Sequence, residues 1–191
     1  MNKPTHAQVA QLLADRGYPL FKGGKHPNLT LVLLRSLPGK PNSYDDLLCA
    51  LYGEDTIECF RCTADPGRYY LNNPMRPSGT AILAHDQHIK AAFQAGTHRG
   101  IYPCLTQTRP LPVWRDGNKD GVVDYGGKIY VDSQGVQIHA GGRVLENVDR
   151  FSAGCVAIFL EDWPRFIQLA MQSIRANGPT LSLSIIGVPQ C

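Results

Sequence analysis

Two side chains in the C-terminal half of the sequence have the types and spacing of a nucleophile and its base. His139 follows a short apolar run that begins at Val136, and Cys155 opens a second apolar run that reaches Phe159. If the two runs lie side by side in one sheet, the imidazole can take the proton of the thiol. The backbone N–H groups of Gly154 and Cys155, at a tight turn, would then hold the oxyanion of a tetrahedral intermediate. This pattern predicts acyl transfer through a cysteine thiolate.

The same two residues also have an ordinary structural interpretation. A free cysteine is among the most buried residue types, and Cys155 precedes an apolar run. His139, alone on an apolar strand, would more often be a hydrogen-bonded core histidine. A nucleophile with a base in reach is nevertheless the diagnostic arrangement, so we expect the pair to be catalytic.

A wider pattern around the pair resembles that of a known enzyme family. The segment Ser152-Ala153-Gly154-Cys155-Val156, preceded by a spacer and His139, is similar to the signature of the L,D-transpeptidase (YkuD-type) family. In that signature, a histidine and a spacer precede Ser/Thr-His-Gly-Cys, an apolar residue and Arg or Asn. Upstream, the chain resembles a branch common among phage and prophage proteins at Gly79-Thr80, Thr97-His98-Arg99-Gly100, Tyr102 and Gln107. The resemblance covers residues 79–159.

Two positions depart from the family pattern. Ala153 stands where the family usually has a second histidine, and Ala157 stands where it usually has Arg or Asn. Those side chains line the substrate side of the site in the family. The resemblance therefore transfers the acyl-transfer chemistry more safely than the choice of substrate or acceptor.

The resemblance implies a peptidoglycan-active cysteine enzyme that acts on wall stem peptides. The Cys155 thiolate would attack the carbonyl of a bond between an L-centre and a D-centre, and His139 would return the proton to the leaving amine. The resemblance also implies that the backbone carbonyl of Ala140 orients the imidazole and that Ser152 supports the turn. The acyl-thioester then passes to water, as in an L,D-carboxypeptidase or endopeptidase, or to an amine, as in transpeptidation.

Four further residues are candidates for substrate binding. Tyr70 and Arg76 belong to a stretch rich in Pro, Gly and Asn, 65–79, which we expect to be a long surface loop at the border of the cleft. Local aromatic packing is the alternative for Tyr70. Tyr102 lies in a predicted strand near the site. His98 is either a supporting or substrate-binding histidine or an exposed polar residue.

A second cluster, of acidic and amide side chains, has the spacing of a metal site. Oxygen ligands follow the 1, 3, 5 and 9 spacing of a calcium loop at Asp116, Asn118, Asp120 and Asp124. The twelfth position is Gly127, where a calcium loop usually has a bidentate glutamate, and strands are predicted on both sides. A structural calcium site and an ordinary Asp/Asn/Gly hairpin loop both explain the pattern. No other cofactor is expected.

The remaining cysteines predict neither a disulfide framework nor a zinc site. If Cys155 is the nucleophile, five remain, at 49, 59, 62, 104 and 191, and an odd number is not typical of a disulfide framework. Cys59 and Cys62 form a C-x-x-C without a second pair or histidines at zinc spacing. Positions three apart on a strand point to opposite faces, so we expect two core thiols.

Composition and charge narrow the range of partners. With 43% hydrophobic and 18% charged residues, the 191-residue chain has an ordinary soluble composition and enough length for one core. The net charge of +3 is weakly basic. No Lys/Arg block with interleaved aromatics occurs, so we expect no nucleic-acid partner. The expected partners are peptidoglycan stem peptides and, if the protein is an effector, an immunity protein.

The first residues predict a chain made in the cytoplasm without a signal peptide. They lack the charged start, apolar core and small-residue cleavage site of a secretory signal, and no apolar run reaches membrane-spanning length. Action at the cell wall or in the periplasm would then require lysis, a holin or a contractile secretion system. This favours an endolysin-like phage protein or a secreted effector.

The elements that must position these residues are mostly short strands. Strands are predicted at 29–34, 56–63, 80–84, 97–107, 111–113, 128–131 and 181–186, with helices at 4–16, 43–52 and 162–176 and a helical turn at 89–95. We expect one mainly-β domain over 1–191 with peripheral helices, with an N-terminal helix-strand extension over 1–40 and a catalytic half at about 79–160. The family resemblance makes this fold a YkuD-like β-sandwich or open barrel.

Two other classes of function remain compatible with the sequence. One is a catalytically inactive wall-binding module of the same fold, which would keep affinity for sacculi while Cys155 is unreactive. The other is a virion-associated or structural protein in which His139 and Cys155 belong to the core. The thiol would then resist alkylation until the chain unfolds.

Overall fold

Strands dominate the structure, a computed structural model that describes residues 3–40, 42–133 and 135–189. Cys191, one of the six cysteines considered above, lies outside the described residues. The helices are α1 (His6–Ala14), α2 (Arg68–Asn72) and α3 (Trp163–Asn177). The strands are β1 (Thr30–Leu37), β2 (Asp46–Tyr52), β3 (Thr56–Thr63), β4 (Thr80–Leu83), β5 (Gln87–His98), β6 (Tyr102–Gln107), β7 (Leu111–Asp116), β8 (Tyr130–Asp132), β9 (Gln137–Ala140), β10 (Val156–Ile158) and β11 (Thr180–Pro189).

Eight of these strands close into a barrel. Their order around the barrel is β1-β11-β5-β6-β9-β10-β3-β2, and β1 completes the ring because it pairs antiparallel with β2 and parallel with β11. The strands β4, β7 and β8 form a separate antiparallel sheet, with β7 in the middle. The prediction of a mainly-β fold with peripheral helices is confirmed, whereas the barrel is closed where the family resemblance implied a β-sandwich or an open barrel.

The barrel wall explains why β1 is an uninterrupted apolar run. Leu31 and Leu33 belong to the core cluster inside the barrel, and Val32 and Leu34 belong to a second cluster on its outer face. Successive side chains of a strand point to opposite faces, so a strand buried on both faces has no polar alternation. The outer cluster is covered by α1 through its buried residues Val9 and Leu13.

The two longer helices begin at residues that suit a helix start. In α1, the Thr5 side chain accepts a hydrogen bond from the Gln8 N–H and the Gln8 side chain accepts from the Thr5 N–H, which is a capping box. In α3, Asp162 is the N-cap residue and Pro164 lies in the first turn, as predicted. The Asp162 side chain does not cap the helix, because it accepts hydrogen bonds from the backbone and guanidinium of Arg61.

Four predictions of local structure are wrong. The helix expected over 43–52 is the strand β2, and the helical turn expected over 89–95 is part of β5. The stretch 65–79 is not only a surface loop, since it contains α2 and the buried Leu71. Residues 1–40 do not form an extension in their described part, because β1 is a wall strand of the barrel.

A disulfide joins the paired strands β2 and β3. Cys49 and Cys59 lie directly opposite each other in the antiparallel register, with their Cα atoms 4.2 Å apart. The expectation that these cysteines are free is therefore wrong. Cys62 points to the opposite face, into the barrel core, as a free buried thiol. Directly paired residues on neighbouring strands are close enough to form a disulfide bond. Their separation along the chain does not suggest this pairing.

A buried charge cluster connects the barrel to the three-stranded sheet. Arg35, fully buried on β1, forms ion pairs with Asp46 at 3.1 Å and with Asp65, and donates a hydrogen bond to the carbonyl of Leu83 in β4. Tyr125, which follows β7, donates its hydroxyl to Asp65 at 2.5 Å. Burial opposes the charge of Arg35, but the carboxylates of Asp65 and Asp46 outweigh it and raise its pKa.

Among the described residues, no helix combines the length and the apolar character needed to cross a membrane.

Candidate functional site

The histidine lies on β9, and the cysteine directly precedes β10, the neighbouring strand of the barrel. β9 and β10 are parallel, and His139 is level with Ala157. Cys155 comes two residues before Ala157, directly before β10. The Cys155 thiol is hydrogen-bonded to the backbone of Gln137, which shares a face of β9 with His139, so the thiol and the imidazole belong to adjacent segments of the chain. The expectation that the two apolar runs lie side by side is confirmed.

The Cys155 thiol is half-buried and held by the backbone of β9. Its Sγ accepts a hydrogen bond from the N–H of Gln137 at 3.4 Å. Burial raises the pKa of the Cys155 thiol, and this hydrogen bond and the charge of Arg99 oppose the rise. The thiol is therefore protonated near neutral pH in this arrangement. No hydrogen bond joins it to His139 within the described part of the chain.

The His139 imidazole is buried, and its orientation is defined by one hydrogen bond. Its Nδ1 lies 2.8 Å from the carbonyl oxygen of Ala140. A carbonyl only accepts, so Nδ1 carries the proton and Nε2 is left with a free lone pair. Burial lowers the pKa of His139 to about 4, with further lowering by His98 and Arg99 against the opposing effect of the Ala140 carbonyl. The imidazole is thus a neutral base at pH 7.

A tight turn places Cys155 directly before β10. The Ser152 hydroxyl donates to the Cys155 carbonyl at 2.8 Å and accepts from the Gly154 N–H at 3.1 Å. Gly154 has φ +109°, and a Cβ at this position would lie 2.2 Å from the carbonyl oxygen of Ala81. The Gly154 N–H was expected to bind an oxyanion, but in this structure it is donated to Ser152. Of the two N–H groups that were expected to bind the oxyanion, only that of Cys155 is not donated to Ser152.

A cleft of about 290 Å³ opens beside the Cys155 thiol. It is lined by residues 79–81, at the start of β4, and by the turn that carries Ala153, Gly154 and Cys155. Two cationic side chains, Arg76 and Arg115, also line the cleft. Ala157, the other departure from the family pattern, does not line it and is fully buried.

The structure brings three of the four predicted substrate-binding residues to the site. Arg76 lines the cleft. The half-buried His98 stacks on His139 with ring centroids 4.5 Å apart, and its Nδ1 lies 2.5 Å from the side-chain oxygen of Gln137. Tyr102 lies next to His98, and its hydroxyl donates to the Ala140 carbonyl at 3.4 Å.

Tyr70 is the exception, because it does not line the cleft. Its ring packs edge-on against Tyr69 at 5.2 Å between centroids, and its carbonyl accepts a hydrogen bond from the Thr80 hydroxyl at 2.7 Å. This is the local aromatic packing that the sequence left open as the alternative.

The predicted calcium ligands lie in the connection after β7, away from the thiol. The Asn118 amide donates hydrogen bonds to Asp120 at 3.0 Å and to Asp124 at 2.9 Å, and the Asp124 N–H donates to Asp116 at 3.1 Å. In the described ranges, no group of three or more His, Cys, Asp or Glu side chains is placed to hold a metal ion.

Three residues of the site were not singled out from the sequence. Gln137 contacts both the thiol and His98, Arg99 acts on Cys155 and His139 by its charge, and Arg115 lines the cleft. Gln137 lies two positions before His139, and strand alternation places the two on one face. That spacing is the sequence signal for Gln137, and the signal for Arg99 is its place beside His98 in the segment that resembles the phage branch.

Comparison with known proteins identifies no relative. No family model, no curated protein and no solved structure matches this chain.

Proposed function

We propose that this protein is a cysteine acyltransferase or hydrolase of the L,D-transpeptidase type that acts on peptidoglycan stem peptides. The observation that carries the proposal is the parallel pairing of β9, which carries His139, with β10, which Cys155 directly precedes at a cleft that Cys155 lines. The specific YkuD-type fold is part of the proposal. It is supported by the Ser152-Ala153-Gly154-Cys155 turn and by the Ala140 carbonyl that orients the imidazole.

The chemistry starts from a neutral pair. Nε2 of His139 takes the proton of the Cys155 thiol as Sγ attacks the substrate carbonyl carbon, which forms a C–S bond and a tetrahedral oxyanion. Both pKa shifts favour the neutral forms before substrate binds. Thiolate and imidazolium therefore form together, at the moment of attack. The Cys155 N–H serves the oxyanion, because the Gly154 N–H is already donated to Ser152.

The second half of the reaction returns every group to its starting state. The oxyanion collapses, the peptide C–N bond breaks, and His139 gives its proton to the leaving amine. Water or an acceptor amine then attacks the thioester while His139 removes a proton from the attacking group. The C–S bond breaks, and the thiolate regains its proton from His139. Acceptance by water cleaves the stem peptide, and acceptance by an amine makes a new peptide bond.

The test is covalent labelling with a carbapenem, an acylating agent for the nucleophile of L,D-transpeptidases, followed by intact-mass analysis. We expect one adduct on the native chain and none on Cys155→Ala. The control is Cys62→Ala, which removes another free buried thiol and should keep the adduct. Labelling of Cys155→Ala, or labelling lost in Cys62→Ala alone, contradicts the assignment of the nucleophile.

The choice of substrate needs a second experiment. The native protein and Cys155→Ala are incubated with purified sacculi and with soluble tetrapeptide stems, with and without an added D-amino acid as acceptor. Release of stem fragments by the native protein alone supports cleavage, and incorporation of the D-amino acid supports transfer. An adduct in the first experiment with no product in the second would retain the nucleophile and reject peptidoglycan as its substrate.

A further inference from the structure

The connection between β7 and β8 places four oxygen-bearing side chains around one loop, 116–124, which we call the acidic loop. Asp116 ends β7, where it pairs with Thr80 of β4. The chain then folds back so that the Asp124 N–H reaches the Asp116 carboxylate. The Asp120 and Asp124 carboxylates share the amide group of Asn118. Three carboxylates and one amide are thus linked by hydrogen bonds within a loop of nine residues, although the carboxylates do not converge on one point in this arrangement.

The Asp116 carboxylate is the observation that points to a ligand. The residue is 1% exposed, and its Oδ1 is buried without a hydrogen-bond partner among the described residues. A buried polar atom left unpaired is costly, and folded proteins keep few of them. A cation in the acidic loop would satisfy the unpaired oxygen and offset the repulsion among the carboxylates.

The position of Asn118 shows how a cation is accommodated. The amide nitrogen lies between the carboxylates of Asp120 and Asp124, at 3.0 Å and 2.9 Å, and acts as the positive partner of both. A cation that enters between them displaces this NH₂ group. A half-turn of the amide then presents its oxygen to the ion, since the two ends of the amide have nearly the same shape.

We propose that the acidic loop binds one Ca²⁺ ion through oxygen atoms of Asp116, Asn118, Asp120 and Asp124. Calcium takes six to eight oxygen ligands in flexible geometry, so main-chain oxygens and water complete the shell. Magnesium requires a near-ideal octahedron with shorter bonds, which a loop of this length does not enforce. Gly127 stands where a bidentate glutamate would strengthen the site, so the dissociation constant is about 0.1–1 mM, the weak end of calcium modules.

The acidic loop and the thiol cleft share a wall. A Cβ on Gly79 would lie 2.3 Å from the carbonyl oxygen of Asp116, so the backbones of β4 and β7 touch there. Gly79, Thr80 and Arg115 belong to the same contact and also line the cleft. An ion that fixes Asp116 therefore also fixes part of the lining of the cleft. The site is structural, because none of its ligands reaches the thiol.

The test measures the melting temperature and terbium luminescence of the full chain. Tb³⁺ replaces Ca²⁺ at oxygen sites, and Trp114, two residues before Asp116, can sensitise its emission. We expect 10 mM CaCl₂ to raise the melting temperature by about 3–10 °C at constant ionic strength, with a smaller effect from MgCl₂. Excess Ca²⁺ should quench the Tb³⁺ emission, and calorimetric titration should give one ion per chain.

Two variants and one control make the test specific. Asp120→Asn and Asp124→Asn each remove one ligand charge on an exposed part of the acidic loop, and Asp55→Asn removes an exposed carboxylate in the turn between β2 and β3. The calcium shift should fall below about 1 °C in both loop variants and stay unchanged in the control. The loop variants should fold without calcium, because the substitution relieves repulsion. No shift in the native chain, or an equal shift in all variants, overturns the proposal.

Discussion

At the scale of single residues, the candidate site consists of two groups that are both neutral. Burial lowers the pKa of His139 to about 4 and raises that of the Cys155 thiol. A thiolate–imidazolium pair would require the opposite shifts. Within the proposed mechanism, such a site spares the thiol from reaction with ordinary electrophiles, because the thiolate forms only when a carbonyl carbon lies at Sγ.

This neutral pair predicts an unusual pH dependence of acylation. The base works when His139 is deprotonated, so activity is lost as the pH falls through the folded-state pKa of about 4. An unperturbed histidine, with a pKa near 6.5, would lose about tenfold in rate at pH 5.5. We therefore expect nearly equal rates of carbapenem labelling at pH 5.5 and pH 7.5, measured by intact mass at short times.

Tryptophan fluorescence at both pH values controls for unfolding, and Cys155→Ala gives the background of non-specific labelling. A roughly tenfold loss at pH 5.5 in a folded protein would show that His139 has an ordinary pKa or is not the base.

The sequence predicts the identity of the reacting pair but not its surroundings. His139 and Cys155 were found because residue type and spacing carry the signal. Arg99 was missed because it acts on both through its charge across space. The Gly154 N–H was expected to bind the oxyanion, but it donates its hydrogen bond to the nearby Ser152 hydroxyl instead. Competition between a turn residue and a ligand for one donor cannot be decided from the order of residues.

At the scale of elements, the turn before β10 is the most constrained part of the site. Gly154 has a φ of +109°, in the region that favours glycine, and a Cβ at this position would lie 2.2 Å from the carbonyl oxygen of Ala81. The contact joins the barrel strand β10 to β4 of the small sheet through Ala81. The cleft therefore forms where the two sheets meet. Its shape depends on Gly154, because a Cβ at this position would push the two segments apart.

Gly154→Ala should be far more destabilising than Gly→Ala at a position that has a similar φ angle but open space around it. Gly126 has φ +110° and nothing within 4 Å of the place where a methyl group would lie, so Gly126→Ala isolates the cost of the angle, about 1 kcal/mol. The clash with Ala81 should add at least ~2 kcal/mol in Gly154→Ala. Urea unfolding of both variants provides the comparison, and equal losses would show that the turn yields without strain.

The error over β2 shows why a buried strand is hard to recognise. Leu47, Leu48, Ala50 and Leu51 have the spacing of a helix face, and Ser43 with Asp46 resembles a helix start. In the barrel, both faces of β2 are buried, so the polar alternation that identifies a strand is absent. Asp46 is not a capping residue, because its partner is Arg35 on the neighbouring strand. The amphipathic α1 and α3, each with one polar face, were predicted correctly.

At the scale of the whole molecule, Arg35 connects the two sheets. It joins carboxylates beside the barrel to the Leu83 carbonyl of the small sheet. Both carboxylates are buried, so each depends on the guanidinium for its charge. Burial raises the pKa of Asp46 even with Arg35 present.

Replacing Arg35 by methionine, of similar length, should cost about 3–5 kcal/mol, since it leaves buried carboxylates without a cation. The loss should be larger at pH 8 than at pH 5. Without Arg35 the folded-state pKa of Asp46 rises further above its unfolded value, so the folded state binds the extra proton and stability falls as the pH rises. Urea unfolding at both pH values measures the effect.

The matched control is Arg165→Met. Arg165 binds Glu58 by two hydrogen bonds on the surface, and exposed pairs contribute about 0–1 kcal/mol. Similar losses in the two variants, or a loss at Arg35 that does not depend on pH, would contradict the account of the buried cluster.

The features that hold the molecule together are the ones that spacing along the chain does not reveal. Arg35 and Asp65 are far apart in sequence, and Cys49 and Cys59 meet only because their strands pair in one particular register. The count of cysteines gave no hint of that bond. Local pattern predicts many of the strands, though not β2 or the part of β5 at 89–95, whereas pairing between strands depends on the geometry of the closed barrel.

The pairing of β1 with β11 has a consequence for the order of events during translation. β11 lies between β1 and β5 and is the last strand of the barrel to leave the ribosome. Until then, β1 and β5 each present an unpaired edge, and the apolar interior stays open to solvent and to other nascent chains. The barrel closes only after synthesis has passed Pro189, so the site assembles late. A chaperone that protects the open barrel would have to stay bound until β11 has been made.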